Sequence, residues 1–258
     1  MLLAVDIGNT NIDLGVFQGQ ELRATWRVAT DMERLADEYA VSLITLLRAD
    51  GLDPSAIEAA AMCSSVPDLI TVFDQLCRRY FGVQPLIVGP GTHTGVRVFY
   101  EPRELGADRV VDVVAALKLY GPPPLIIVDL GTATVFDAVS AKGDYLGGAI
   151  APGIGIAAQA LYERTAKLYR VELEHPKAVI GKNTVNAIQS GIMFGYVALV
   201  EGMVARFQKE LGGGARVIGT GGWANLIAAG TSVFDRVDTN LTLSGLRIIY
   251  EASRGEAG

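Results

Sequence analysis

Val5-Asp6-Ile7-Gly8-Asn9-Thr10 and Val128-Asp129-Leu130-Gly131-Thr132-Ala133 decide how this chain is read. Each closes a short apolar run, Leu2-Leu3-Ala4-Val5 in the first case and Leu125-Ile126-Ile127-Val128 in the second. An aspartate, an apolar residue and a glycine follow in the same order, with Asp6 and Asp129 standing 123 positions apart. Apolar runs of this length suit buried strands, and glycine lets the backbone turn tightly or approach a ligand closely. A second strand follows each turn, by alternation through Ile12, Leu14 and Val16 and again over 135–139. Third strands follow at 22–28, after Gly19-Gln20, and at 145–150, after Lys142-Gly143-Asp144. A duplicated unit of this kind predicts two similar halves around a cleft, each contributing one Asp-x-Gly turn.

The rest of the chain fits an α/β architecture. Helices are expected over 37–48, 68–80 and 109–120, and strands over 59–64 and 85–88. Gly121 followed by Pro122-Pro123-Pro124 stiffens the chain and marks the expected junction, giving halves 1–121 and 122–258. Val185, Ile188, Ile192, Leu199, Met203, Phe207 and Leu211 form an apolar stripe for a helix starting at Asn183-Thr184, with Gly191 and Gly195 as points where it is free to break.

Composition excludes several classes of function. Of 258 residues, half are hydrophobic and 19% are charged, which supports a large core. The net charge of −6 and the lack of a basic run argue against nucleic acid as a partner. Cys63 and Cys77 form no CxxC, and His93 and His175 are the only histidines, so a cysteine or histidine metal site and a Ser-His-Asp triad lack material. The N-terminal run reaches Asp6 without a basic flank, unlike a signal peptide. The apolar stretch 191–200 stops at Glu201, short of a membrane span, so a soluble cytoplasmic protein with no membrane partner is expected. Gly181-Lys182-Asn183 is no P-loop, and neither Gly219-Thr220-Gly221-Gly222 nor Gly89–Gly95 has dinucleotide-fold spacing.

Backbone N–H groups at the two turns, with Asn9, Thr10, Thr132 and Thr134, are suited to phosphate oxygens. An aspartate at each strand end can face a cation, and two carboxylates over one cleft repel unless cations intervene. A nucleoside triphosphate with Mg²⁺ supplies them. The plainer alternative is a pair of ordinary hairpin turns, since Asp and Gly are common turn formers. The 30 glycines, well above the ~7% average, gather at these turns, before Asp108, at Gly147-Gly148, at Gly153 and Gly155, and at Gly221-Gly222. Asp108 reads either as a helix N-cap or as a functional carboxylate. Arg109 opposes the helix dipole unless an anionic ligand is present.

These turns resemble the phosphate loops of the actin and sugar-kinase superfamily. DIGNTN at 6–11, GADRVVDVVAA at 106–116, DLGTAT at 129–134, GGAIAPG at 147–153, NTVNAIQSGI at 183–192 and TGGWANLI at 220–227 closely resemble, in order, type III pantothenate kinase. The resemblance implies two ribonuclease-H-like halves with mixed sheets flanked by helices. It also implies ATP-dependent phosphorylation of pantothenate to 4′-phosphopantothenate, the first step towards coenzyme A. It assigns ATP to Asp6, Ile7, Gly8, Asn9, Thr10, Asn11, Ile12, Asp13 and Thr132, with Asp6 holding Mg²⁺ through phosphate. It assigns the general base to Asp108, and pantothenate to Tyr100, Gly106, Ala107, Asp108, Arg109 and Thr184. It assigns a monovalent cation, K⁺ or NH₄⁺, to Asp129, and it implies a homodimer built by the second half.

The chain departs from the family pattern at four places. Val135 stands where a threonine is usual, and His93 where lysine is frequent. The segment from Tyr100 to Gly106 is a residue short, and Ser64-Ser65-Val66-Pro67 is also shortened. Two other readings stay open: a kinase of the same superfamily acting on another small acceptor, and a non-enzymatic regulator related to the Bvg accessory factor.

Overall fold

A computed structural model describes residues 1–101, 104–164 and 168–255. The first sheet is built from β1 (Leu2–Ile7), β2 (Asn11–Gln18), β3 (Glu21–Ala29), β4 (Ala59–Ser64) and β5 (Leu86–Ile87), in the order β3-β2-β1-β4-β5. The second holds β6 (Leu125–Leu130), β7 (Ala133–Val139), β8 (Tyr145–Pro152), β9 (Arg216–Thr220) and β10 (Arg236–Val237), in the order β10-β9-β6-β7-β8. Read from the opposite edge, that order repeats the first sheet. In each, three antiparallel strands precede two that run parallel to the first. The duplication foreseen at the hairpins therefore extends through the fourth and fifth strands.

Strand alternation sorts the first sheet into two faces. Leu3, Val5, Ile7, Ile12, Leu14 and Val16 form a core with Tyr39 and Leu43 of α1 (Ala36–Ala49) and Leu69 and Phe73 of α2 (Pro67–Leu76). Leu2, Ala4, Phe17, Ala61 and Cys63 lie on the other face, under Val111 and Val114 of α3 (Ala107–Tyr120) and Leu243, Leu246 and Ile249 of α7 (Leu241–Gly255). In the second sheet, Ile126, Val128, Leu130 and Phe136 pack with α4 (Ile154–Arg164), α5 (Thr184–Glu210) and α6 (Ala224–Ala228).

The helices differ from the sequence reading in three respects. The second ends at Leu76 and widens into a π turn over Cys77–Phe81 instead of continuing as α-helix to 80. α4 is a helix that the sequence reading did not include, although Ile154, Ala157, Ala158, Leu161 and Tyr162 recur at helical spacing and pack on the second sheet. α5 runs unbroken for 27 residues through Gly191 and Gly195, where an added Cβ would meet nothing. By length and composition alone α5 could cross a membrane, a longer apolar helix than the 191–200 stretch suggests. Its Ile188, Ile192, Met193, Tyr196, Val200 and Val204 are buried in the core of the second sheet, which accounts for that apolarity.

The chain forms two compact units, the second made of Arg97–Tyr100 and Ala116–Leu241, so the main passage from one to the other lies inside α3, after Ala115, and not at Gly121. The last helix, from Thr242, belongs to the first unit because its apolar face covers that unit's sheet. Within that unit α3 and α7 meet at Gly245, where a Cβ would collide with the Val111 carbonyl oxygen and lie 2.6 Å from Val111 Cγ1. Alanine adds about 1 kcal/mol of helix propensity, whereas overpacking against an immovable backbone costs about 1–3 kcal/mol. Gly245→Ala is therefore expected to lower stability, read as a reduced denaturation midpoint.

Candidate active site

In the first unit, β1 carries Asp6 near its carboxyl end, on the face that α3 covers. Its register partners are Asp13 on β2 and Cys63 on β4. The Cys63 thiol donates to Asp6 Oδ1 at 3.3 Å. Burial pushes this thiol well above its ordinary range, and the negative charges of Asp6, Asp108 and Asp112 add to the effect, so it stays a neutral donor. Asp13 accepts two guanidinium N–H bonds from Arg27, its register partner on β3, at 2.6 and 3.0 Å.

The first turn is clamped from the end of β3. The Gly8 amide donates to the Asn11 carbonyl at 3.0 Å. The Thr30 hydroxyl donates to the Gly8 carbonyl at 2.7 Å, and the Thr30 amide to the Thr10 carbonyl. Ile7 and Ile12 are fully buried core residues, so they anchor the turn, while Asn9, Thr10 and Asn11 are exposed at its tip.

α3 begins at Ala107, which makes Asp108 the second helical residue and excludes it as the N-cap. Its Oδ1 accepts the Arg109 amide at 2.8 Å, and its Oδ2 accepts the Ser65 hydroxyl at 2.8 Å. The carboxylate folds back over Gly106, where a Cβ would collide with Oδ1. A side chain at position 106 would have to displace the Asp108 carboxylate from this place. One turn on, buried Asp112 accepts the Thr242 hydroxyl at 2.7 Å.

In the second unit Asp129 holds the matching place on β6, opposite Val135 on β7 and Thr220 on β9. Its turn is a residue shorter than the first, with three residues between the Leu130 and Thr134 pair against four between Ile7 and Ile12. Thr132 is exposed at the tip. Thr134 is fully buried opposite Leu130, so strand alternation withdraws its hydroxyl from phosphate, contrary to expectation. The Asp129 carboxylate lies where Gly221 lacks a side chain; Gly221 has φ +89°, and a Cβ there would strike Oδ1 and sit 2.6 Å from the Leu130 carbonyl carbon.

The expected pantothenate contacts fall in different units. Gly106, Ala107, Asp108 and Arg109 are in the first, and Tyr100 and Thr184 in the second. Tyr100 packs edge-on to Tyr145, 6.1 Å between centroids, and against Gly147. Thr184 opens α5 after Asn183, whose side chain caps the Asn186 amide at 2.9 Å. It lines an open cavity of about 660 Å³ with Lys182, Leu161, Ile188 and Ile192.

Among the described residues, no three His, Cys, Asp or Glu side chains gather as a metal cage. Mg²⁺ is commonly held by one or two carboxylates together with substrate phosphates and water, and Asp6 is a carboxylate of the type that such an arrangement uses. The Asp129 carboxylate is packed against the backbone of Gly131 and Gly221, where neither residue has a side chain to displace it.

The profile of the type III pantothenate kinase family matches residues 2–206. The chain is 54% identical to the type III pantothenate kinase of Moorella thermoacetica, over 97% of this chain and 99% of that one. It is 53% identical to that of Roseiflexus sp. strain RS-1, over 98% and 100%. Among solved structures it resembles a "Baf family transcriptional activator" from Campylobacter jejuni (TM-score 0.63, 17% identity, 98% and 99% covered). It also resembles the activator of 2-hydroxyisocaproyl-CoA dehydratase from Clostridium difficile with bound ADPNP (TM-score 0.58, 12% identity, 99% and 97% covered). These structural likenesses establish the actin-like ATPase fold.

The cradle of Asp129 is open to a direct check. Gly221→Ala places a Cβ at a positive φ and against a carboxylate, and is expected to cost about 1–3 kcal/mol in a denaturant titration.

Proposed function

This chain belongs to the type III pantothenate kinase family, and we propose that Asp108 is the general base in its transfer of the γ-phosphoryl group of ATP to the primary hydroxyl of pantothenate. The observation that carries the assignment is the Asp108 carboxylate itself. Both of its oxygens are fixed by hydrogen bonds, in the same unit as the strand end that bears Asp6. An alcohol is a weak nucleophile, and a positioned base is worth about 10²–10⁴-fold. Asp108 takes the hydroxyl proton as the oxygen attacks phosphorus; 4′-phosphopantothenate and ADP leave.

The ATP run from Asp6 to Asp13 serves in two ways. Gly8, Asn9, Thr10 and Asn11 present backbone and side-chain groups to phosphate, while Ile7 and Ile12 hold the turn in place. Thr132 offers its hydroxyl from the second turn. Mg²⁺, when bound with ATP, neutralises phosphate charge, and Asp6 is the residue that would hold it. Asp129 would hold K⁺ or NH₄⁺. Arg109 supplies a positive charge for the pantothenate carboxylate, and Gly106, Ala107, Tyr100 and Thr184 are its further contacts.

The exposed apolar side chains Ile150, Val179 and Ile180 support a homodimer formed by the second unit. Two buried free thiols and an acidic balance support a cytoplasmic enzyme with no nucleic-acid or membrane partner. The regulator reading is not favoured, because relatives above 50% identity over nearly the whole chain are pantothenate kinases.

Asp108→Asn is expected to reduce ATP-dependent pantothenate phosphorylation by about 10²–10⁴-fold, while stability changes by no more than about 1 kcal/mol from the lost charge at a helix N-terminus. Near-full turnover in an ADP-release assay would remove the base assignment. Replacing K⁺ with Na⁺ in the same assay is expected to slow the wild-type enzyme, and an indifferent rate would remove the cation role of Asp129.

A further inference from the structure

Ser64 and Ser65 follow one another at the end of β4 and use their hydroxyls differently. The Ser64 hydroxyl stays close to its own backbone, accepting the Val66 amide at 2.9 Å and donating to the Val66 carbonyl at 2.8 Å, with a longer bond to the Ile7 carbonyl at 3.5 Å. Ser65 is exposed, and its hydroxyl reaches across 43 positions to Asp108 Oδ2 at 2.8 Å. Its backbone amide meanwhile donates to the Ile7 carbonyl at 2.9 Å, at the end of the strand that carries Asp6. One residue thus links the end of β1 to the carboxylate at the start of α3.

The second unit shows that this connection does not itself require a serine. Cys63 is the register partner of Asp6, and Thr220 that of Asp129. Two residues further on stand Ser65 and Gly222 respectively. Both connections return to the first strand by a backbone bond, from Ser65 to Ile7 and from Trp223 to Leu130 at 3.0 Å. The hydroxyl is present only in the unit that holds Asp108.

We propose that Ser65 is a positioning residue for Asp108, holding the carboxylate in the rotamer from which it accepts the substrate proton. With Oδ1 committed to the Arg109 amide, the Ser65 bond on Oδ2 stops rotation about the Cβ–Cγ bond. A carboxylate has about four lone-pair sites, so a position remains for the incoming hydroxyl. Fixing the base in a reactive geometry acts on turnover and not on ground-state binding. This inference rests on Asp108 being the base.

The test measures kcat and both KM values for wild type, Ser65→Ala, Ser65→Thr, Asp108→Asn and the Ser65→Ala/Asp108→Asn double variant, with denaturation midpoints for each. Ser65→Ala is expected to lower kcat about 10- to 100-fold, the range for losing a hydrogen bond to a charged group, with KM values within about twofold. Ser65→Thr, which keeps the hydroxyl, is expected to recover most of that loss. The double variant is expected to be no slower than Asp108→Asn, because two residues acting as a unit are not additive. Unchanged kcat in Ser65→Ala, equal loss in Ser65→Thr, or additive loss in the double variant would overturn the positioning role. If Asp108→Asn stays active the base assignment falls and this role with it. Loss in Asp108→Asn alone, with Ser65→Ala at wild-type rate, removes only the role of Ser65.

Discussion

The site depends on β1 having unlike neighbours. Its backbone is paired antiparallel with β2 on one side and parallel with β4 on the other, and both ladders continue to Ile7. There β2 has already turned back, and β4 gives one last bond from the Ser65 amide before leading into α2. The carboxyl end of β1 is left with a turn on one side and a helix start on the other, the usual ligand-facing end of strands in α/β sheets. Asp6 sits at that end, on the face opposite the α1 and α2 core, and β6 repeats the arrangement with Asp129.

Charge explains how the two copies have diverged. Asp6 and Asp13 are directly opposed, and like charges in that relation are destabilising. Arg27, next in the same row, offsets this with a bidentate bond to Asp13. Cys63, on the other side of Asp6, contributes a donor without contributing charge. In the second sheet Val135 takes the place of Asp13, so Asp129 stands in its row without a second carboxylate opposite it. Val135, a departure from the family pattern, therefore borders the cation candidate and not the turn tip.

Much of the architecture was legible because periodicity is local. The two Asp-x-Gly turns, their hairpins and the helices at 37–48 and 109–120 were readable from spacing within about ten residues. The motifs carried the family and most of the residues now proposed for ATP and pantothenate. Ser65 was visible only as part of a shortened segment, since nothing near it in sequence announces a partner at position 108. The Thr134 side chain follows strand alternation into the core, although the motif places it beside the turn. The proline run after Gly121 marks a stop in the chain, whereas packing keeps the last helix with the first sheet.

By itself the sequence determined the duplicated α/β fold, the aspartate at each strand end and the family to which the chain belongs. Those depend on order and local alternation, which a linear string records in full. Only the tertiary structure decided that α7 closes the first sheet, that Gly245 admits α3, that Gly221 leaves room for Asp129, and that Ser65 meets Asp108. Each is a contact between residues distant in the chain, set by register and close packing, and neither quantity is written in local sequence.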